Sequence, residues 1–62
     1  MNKYLVVFKD GGMKLSVDAA TLLASNTEYG THKFYNRVTS LGNPTDICFA
    51  ICATQVSYIK KI

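Results

Sequence analysis

The chain of 62 residues is poor in the residue types from which small enzymes and metal proteins are built: no tryptophan, one histidine, one proline, two cysteines and four acidic residues. Cys48 and Cys52 lie in the uncharged run Ile47 to Thr54 (ICFAICAT). On a strand, residues four apart are about 13 Å apart at about 3.3 Å per residue, beyond the roughly 7 Å Cα limit for a disulfide. The pair therefore reads as buried free thiols pointing the same way from one strand, which favours a reducing, cytoplasmic setting. With His32 as the single histidine and no CxxC pair, no metal site and no cofactor are expected.

Long apolar runs are also absent. Tyr4 to Phe8 is interrupted by Lys9 and Asp10, too short for a signal-peptide core, and no window approaches the roughly 18 apolar residues of a membrane span. No asparagine begins a glycosylation triplet, since Asn43 is followed by Pro44 and neither Asn26 nor Asn36 has Ser or Thr two residues on. The expectation is a soluble cytoplasmic protein without membrane contact, complete as a small gene product starting at Met1.

Catalytic groupings are equally scarce. Ser40, His32 and Asp46 provide the letters of a nucleophile, base and orienting acid, but a chain this short has little volume for the preorganised concave site that catalysis needs. His32, after Gly30 and Thr31, reads as a solvent-facing loop-end residue. Asp10, Asp18, Glu28 and Asp46 all fall at expected turns or caps, and Gly11 and Gly12 form a turn with no phosphate-loop motif behind them. The reading is a non-enzyme.

What is present is strand patterning. In KYLVVFK, Tyr4, Val6 and Phe8 alternate with Leu5 and Val7, which predicts a strand covered on both sides. Asp10, Gly11 and Gly12 end it, and Met13, Leu15 and Val17 then alternate with Lys14, Ser16 and Asp18, so FKDGGMKLSV reads as a hairpin. DAATLLAS fits either a two-turn helix capped by Ser16 or Asp18 or a short strand over Thr21 to Ala24; extended structure is preferred because so short a helix is marginal. Asn26 to Thr31 is a loop by composition, with a one-turn helix over the sheet as the alternative.

His32 to Val38 resumes alternation, with Phe34 and Val38 on one face and Lys33, Tyr35 and Arg37 on a basic outer face. Thr39 to Asp46, with Gly42, Asn43 and Pro44, reads as a loop. Ile47 to Ala53 is apolar on both faces, the mark of a central strand or of one buried at an interface, with Phe49 at the middle of this run as a core residue flanked by Ile47 and Ile51. Ala53 to Gln55 reads as a turn or a single 3₁₀ turn, and Val56 to Ile62 as a last strand.

Five or six short strands in a single domain, residues 1–62, predict an all-β fold, or β with one short helix, built as a small antiparallel β-barrel or a strongly curved sheet. The hairpin FKDGGMKLSV and the turn and closing strand ATQVSYIKKI resemble the layout of Sm-like and SH3-like small barrels. The broader pattern is similar to small single-domain proteins of phages and Gram-positive bacteria. The resemblance covers roughly a third of the chain and implies fold more than function; no residue maps onto an Sm-type RNA pocket.

Charge is the remaining functional signal. Residues 1–31 balance Lys3, Lys9 and Lys14 against Asp10, Asp18 and Glu28, whereas residues 32–62 carry Lys33, Arg37, Lys60 and Lys61 against Asp46 alone, so the whole net charge of +3 lies in the second half. Chains under about 70 residues usually need a staple, and with disulfide and metal set aside, association with a copy or a partner remains. The first expectation is a non-enzymatic binding module, an accessory or inhibitory protein of a phage or mobile element. It would bind a host protein or itself as a homo-oligomer, through residues including Tyr4, Tyr29, Tyr35 and Tyr58. The alternative is a nucleic-acid-binding small barrel. Candidate binding residues are Lys33, Tyr35, Arg37, Tyr58, Lys60 and Lys61. The bland reading of the same residues is a solvated strand face guarded by lysines.

Overall fold

A computed structural model describes residues 1–62. Six strands and one 3₁₀ turn follow in order: β1 (Asn2–Phe8), β2 (Lys14–Ala19), β3 (Thr21–Leu23), β4 (Thr31–Val38), β5 (Pro44–Cys52), the 3₁₀ turn Ala53–Gln55, and β6 (Val56–Lys61). All pairings are antiparallel and form two three-stranded sheets, β2-β1-β6 and β3-β4-β5. The fold is therefore nearly all-β; of the two forms expected from the sequence, a small barrel or a strongly curved sheet, a closed barrel is not formed. No ladder joins β5 to β6; the 3₁₀ turn separates them, and each ends its own sheet.

The first hairpin forms as its sequence requires. β1 and β2 pair from Asn2 opposite Ala19 to Val7 opposite Lys14, and the Phe8 N–H donates to the Met13 carbonyl at 2.8 Å. Gly11 and Gly12 both have φ of 69°, a conformation that an L side chain resists, so the turn depends on the glycine pair. Asp18 to Ser25 is extended, as preferred, with β2 passing into β3 through Ala20. This residue is the joint between the sheets: its N–H donates to the Tyr35 carbonyl at 2.8 Å, and its carbonyl accepts from Asn2 Nδ2 at 2.9 Å. A strand that bends from one sheet into another is a usual way to turn a corner between packed sheets.

The core lies between the two sheets. The β2-β1-β6 sheet supplies Tyr4, Val6, Val17, Ala19 and Val56; the β3-β4-β5 sheet supplies Phe34. Phe34 is fully enclosed, with its ring 5.5 Å from that of Tyr4 in an edge-on arrangement and 5.6 Å from that of Phe49. Phe8, Leu22, Phe49, Ile51 and Ile59 pack around this centre half-buried. Tyr4, expected among the exposed tyrosines, is buried because it faces inward on the central strand of its sheet.

Several expectations are corrected. β5 is an edge strand with no fully buried residue, not a central one, because β4 takes the middle position. Phe49, expected as a core residue, is consequently half-buried and packs against the core cluster. The strand also begins at Pro44, ahead of the loop boundary expected at Asp46, so Asp46 lies in β5 with a φ of 64° and Asp18 lies within β2; neither is a turn or cap residue. The connecting loop closes through Thr39, whose N–H donates to the Asn43 carbonyl at 2.8 Å and whose Oγ1 accepts the Asn43 N–H at 3.0 Å.

Because Phe34 is the enclosed ring and Phe49 is not, Phe34→Ala should lower stability by about 3–5 kcal/mol and Phe49→Ala by roughly half as much. Urea unfolding of the two variants measures the order; a larger loss at Phe49 would mean the core is centred on β5 after all.

Candidate functional site

Antiparallel registers decide which side chains share a face, since residues directly opposite each other project to the same side. In the β3-β4-β5 sheet, Phe34 faces inward opposite Leu22 and Phe49. The alternate residues of β4 therefore face solvent. Lys33 stands between Leu23 and Ala50, Tyr35 between Thr21 and Ile47, and Arg37 opposite Thr45. Lys33, Tyr35 and Arg37 thus share one outer face, as the alternation predicts, with Tyr35 half-buried between the two cations.

The neighbours of these three residues were not legible from β4 alone. Leu23 is 52% exposed and Ile47 51% exposed, so the face carries an apolar strip beside Tyr35 with the cations along it. Arg37 Nε lies 3.9 Å from Asp46 Oδ2, and Asn36 Nδ2 donates to the same oxygen at 3.3 Å. Both partners of this contact are largely exposed, so it contributes little to stability and leaves Arg37 available at the surface.

The candidates from the last strand lie elsewhere. Tyr58 stands opposite Val7 and Lys60 opposite Leu5, on the outer face of the β2-β1-β6 sheet, whereas Lys61 stands opposite the inward Tyr4. The six candidates therefore do not form one surface: three are together on β4, two share the other sheet's outer face, and Lys61 is on the opposite register. The hairpin register adds two residues that the charge count by halves concealed. Lys14 opposite Val7 and Lys3 opposite Asp18 project to the same side as Tyr58 and Lys60. Lys14 was within reach of sequence reasoning once the hairpin was placed; the junction of β1 with β6 was not, because residues 9–55 separate them along the chain.

The thiols depart from expectation in both exposure and direction. Cys48 and Cys52 are free, and both are exposed. The β4–β5 register shifts by one residue between the Phe34–Phe49 and Tyr35–Ile47 pairs, which makes Cys48 the extra residue of a bulge. The alternation is broken between the two cysteines. Cys52 stands opposite Thr31 on the outer face, while Cys48 Sγ lies 3.8 Å from the Asp18 carbonyl of the other sheet.

An open cleft of about 660 Å³ is lined by Phe8, Lys9, Asp10, Met13, Ile51, Thr54 and Gln55. It is framed where the Lys9 N–H donates to the Gln55 carbonyl at 3.0 Å, joining the hairpin end to the 3₁₀ turn. No cluster of three metal-ligating side chains is present, and no helix is long and apolar enough to cross a membrane. Compared with known proteins, the chain matches no family model, no curated protein and no solved structure.

Exposure of both cysteines has a direct consequence. A thiol reagent should label Cys48 and Cys52 in the native protein about as fast as in the urea-unfolded chain. Protection of both by tenfold or more, about the effect of a cooperative fold that must open first, would place the β5 edge under cover.

Proposed function

We propose that this protein is a small non-enzymatic binding module whose outer β3-β4-β5 face engages another protein. The observation that carries the reading is the strip of Leu23, Tyr35 and Ile47, uncovered and flanked by Lys33 and Arg37. Aromatic and aliphatic side chains ringed by arginine and lysine favour a partner with an apolar patch bordered by acidic groups. A face held on three paired strands is preorganised, so little ordering entropy opposes docking. Cations on the face disfavour a second copy docking face to face, so self-association would use another surface, such as the β5 edge. An accessory or inhibitory role of the kind found in phages and mobile elements fits a chain of this size.

One observation favours a second reading. Lys3, Lys14 and Lys60 share the outer face of the β2-β1-β6 sheet with Tyr58, with Asp18 the acid on that face, an arrangement suited to a single-stranded nucleic acid.

Leu23→Asp and Ile47→Asp should abolish capture of the partner by the immobilised protein while leaving unfolding midpoints nearly unchanged, since both sites are exposed. Lys14→Glu with Lys60→Glu should not affect that capture. Fluorescence anisotropy with a labelled single-stranded oligonucleotide should show no binding at physiological salt. Tight binding that falls steeply with salt and is lost in the Lys14→Glu, Lys60→Glu variant would overturn the protein-binding reading in favour of the second.

A further inference from the structure

The loop between β3 and β4 is fastened by a side chain whose protonation state decides whether the fastening exists. The Ser25 N–H donates to His32 Nδ1 at 3.0 Å. The rest of the loop is knitted to the same residue: Ser25 Oγ donates to the Thr27 carbonyl at 2.8 Å and accepts the Thr27 N–H at 3.2 Å. Gly30 closes over Ser25 so tightly that a Cβ there would collide with Ser25 Oγ and stand 2.8 Å from its Cβ. The Gly30 carbonyl in turn accepts the Ala53 N–H at 2.9 Å, tying the loop to the 3₁₀ turn. Ser25 and His32 are both half-buried, so the bond is not simply interchangeable with water.

An imidazole nitrogen accepts a hydrogen bond only when it carries no proton. The contact therefore requires the neutral ring with its hydrogen on Nε2. Protonation turns Nδ1 into a donor facing the Ser25 N–H, two donors against each other. We propose that His32 is a proton-operated latch: neutral, it holds the 24–30 loop closed over the end of the β3–β4 hairpin, and protonated, it releases the loop.

Nothing around the ring offsets its charge. Ile51 stands directly opposite His32 on β5. Lys33 and Cys52 belong to the other face of the sheet, and Lys14 and Asp18 of β2 lie on that strand's outward register. Glu28 and Tyr29 in the loop form no hydrogen bond or ion pair with the ring, and the one ion pair in the protein joins Arg37 to Asp46. A proton on His32 thus meets no carboxylate that would hold the loop by a new interaction. The latch lies next to Leu23 and Lys33, which face each other across the hairpin, so its release would loosen that end of the binding face. That consequence rests on the proposed function; the latch itself does not.

The single histidine makes the test unambiguous. Ring nitrogen NMR spectra recorded between about pH 8 and about pH 5 report the tautomer and the titration of His32. Ser25 amide exchange, corrected for intrinsic rate, reports the bond. The expected result is an Nε2–H tautomer at the alkaline end and a loss of Ser25 protection, severalfold to about tenfold for one hydrogen bond, with the midpoint of the ring titration. Amides of Leu22 and Phe34 serve as references and should stay protected throughout. His32→Gln, which offers an acceptor oxygen at every pH, should keep Ser25 protected without pH dependence, and His32→Ala should leave it unprotected at every pH. An Nδ1–H tautomer at the alkaline end, or Ser25 protection unchanged across the titration, would overturn the latch without touching the binding proposal.

Discussion

Two small sheets hold each other chiefly through the side chains that meet between them, and here the β3-β4-β5 sheet contributes one fully enclosed side chain, Phe34. It sits edge-on to Tyr4 of the other sheet and against Phe49 of its own. The remaining inward residues of that sheet, Leu22, Phe49 and Ile51, are half-buried around it. A chain this short buries too little to spread its cohesion over several independent contacts, so the alignment of the sheets depends on one ring. The inward side of β4 is set by Phe34, and with it the outward projection of Lys33, Tyr35 and Arg37.

The Ala20 joint supports the same arrangement through the backbone. Its two polar groups are divided between the sheets, one satisfied by Tyr35 of β4 and the other by Asn2 of β1. A larger requirement for covering side chains at this bend is avoided because Ala19 and Ala20 are small, and Ala19 is fully buried where the chain crosses over. Bulges at Cys48 in β5 and near Ser57 in β6 interrupt the two strands that end their sheets beside the 3₁₀ turn. Irregular edges of this kind discourage indiscriminate strand addition, which matters for a run as free of charge as Ile47 to Ala53.

Functionally, the two outer faces differ in chemistry. One offers an apolar strip with Tyr35 between cations; the other offers lysines around Tyr58. The net charge of +3 is too modest to define a partner by itself, and its placement on faces carries more information than its placement along the chain. The loop latched by His32 sits at the end of the first face, where a half-buried imidazole couples loop closure to proton uptake. His32 is therefore a half-buried acceptor at the start of β4, not the solvent-facing loop-end residue that its neighbours Gly30 and Thr31 imply in the sequence.

Local chemistry was legible in the sequence. Asp10-Gly11-Gly12 specified the first hairpin because positive φ is needed there, and period-two alternation placed β1, β2 and β4 and the common face of Lys33, Tyr35 and Arg37. Whatever depended on pairing between distant segments was decided only by tertiary structure. An apolar run does not state whether it lies in the middle or at the edge of a sheet, so Ile47 to Ala53 read as central while β4 took that place. A bulge has no reliable signature in one strand, since it arises from the mismatch of two, and it turned Cys48 away from the face of Cys52. Closure of the barrel failed for the same reason: each strand's pattern fixes which side is apolar, but only the meeting of β5 and β6 around the 3₁₀ turn determines whether their backbones come within hydrogen-bonding reach.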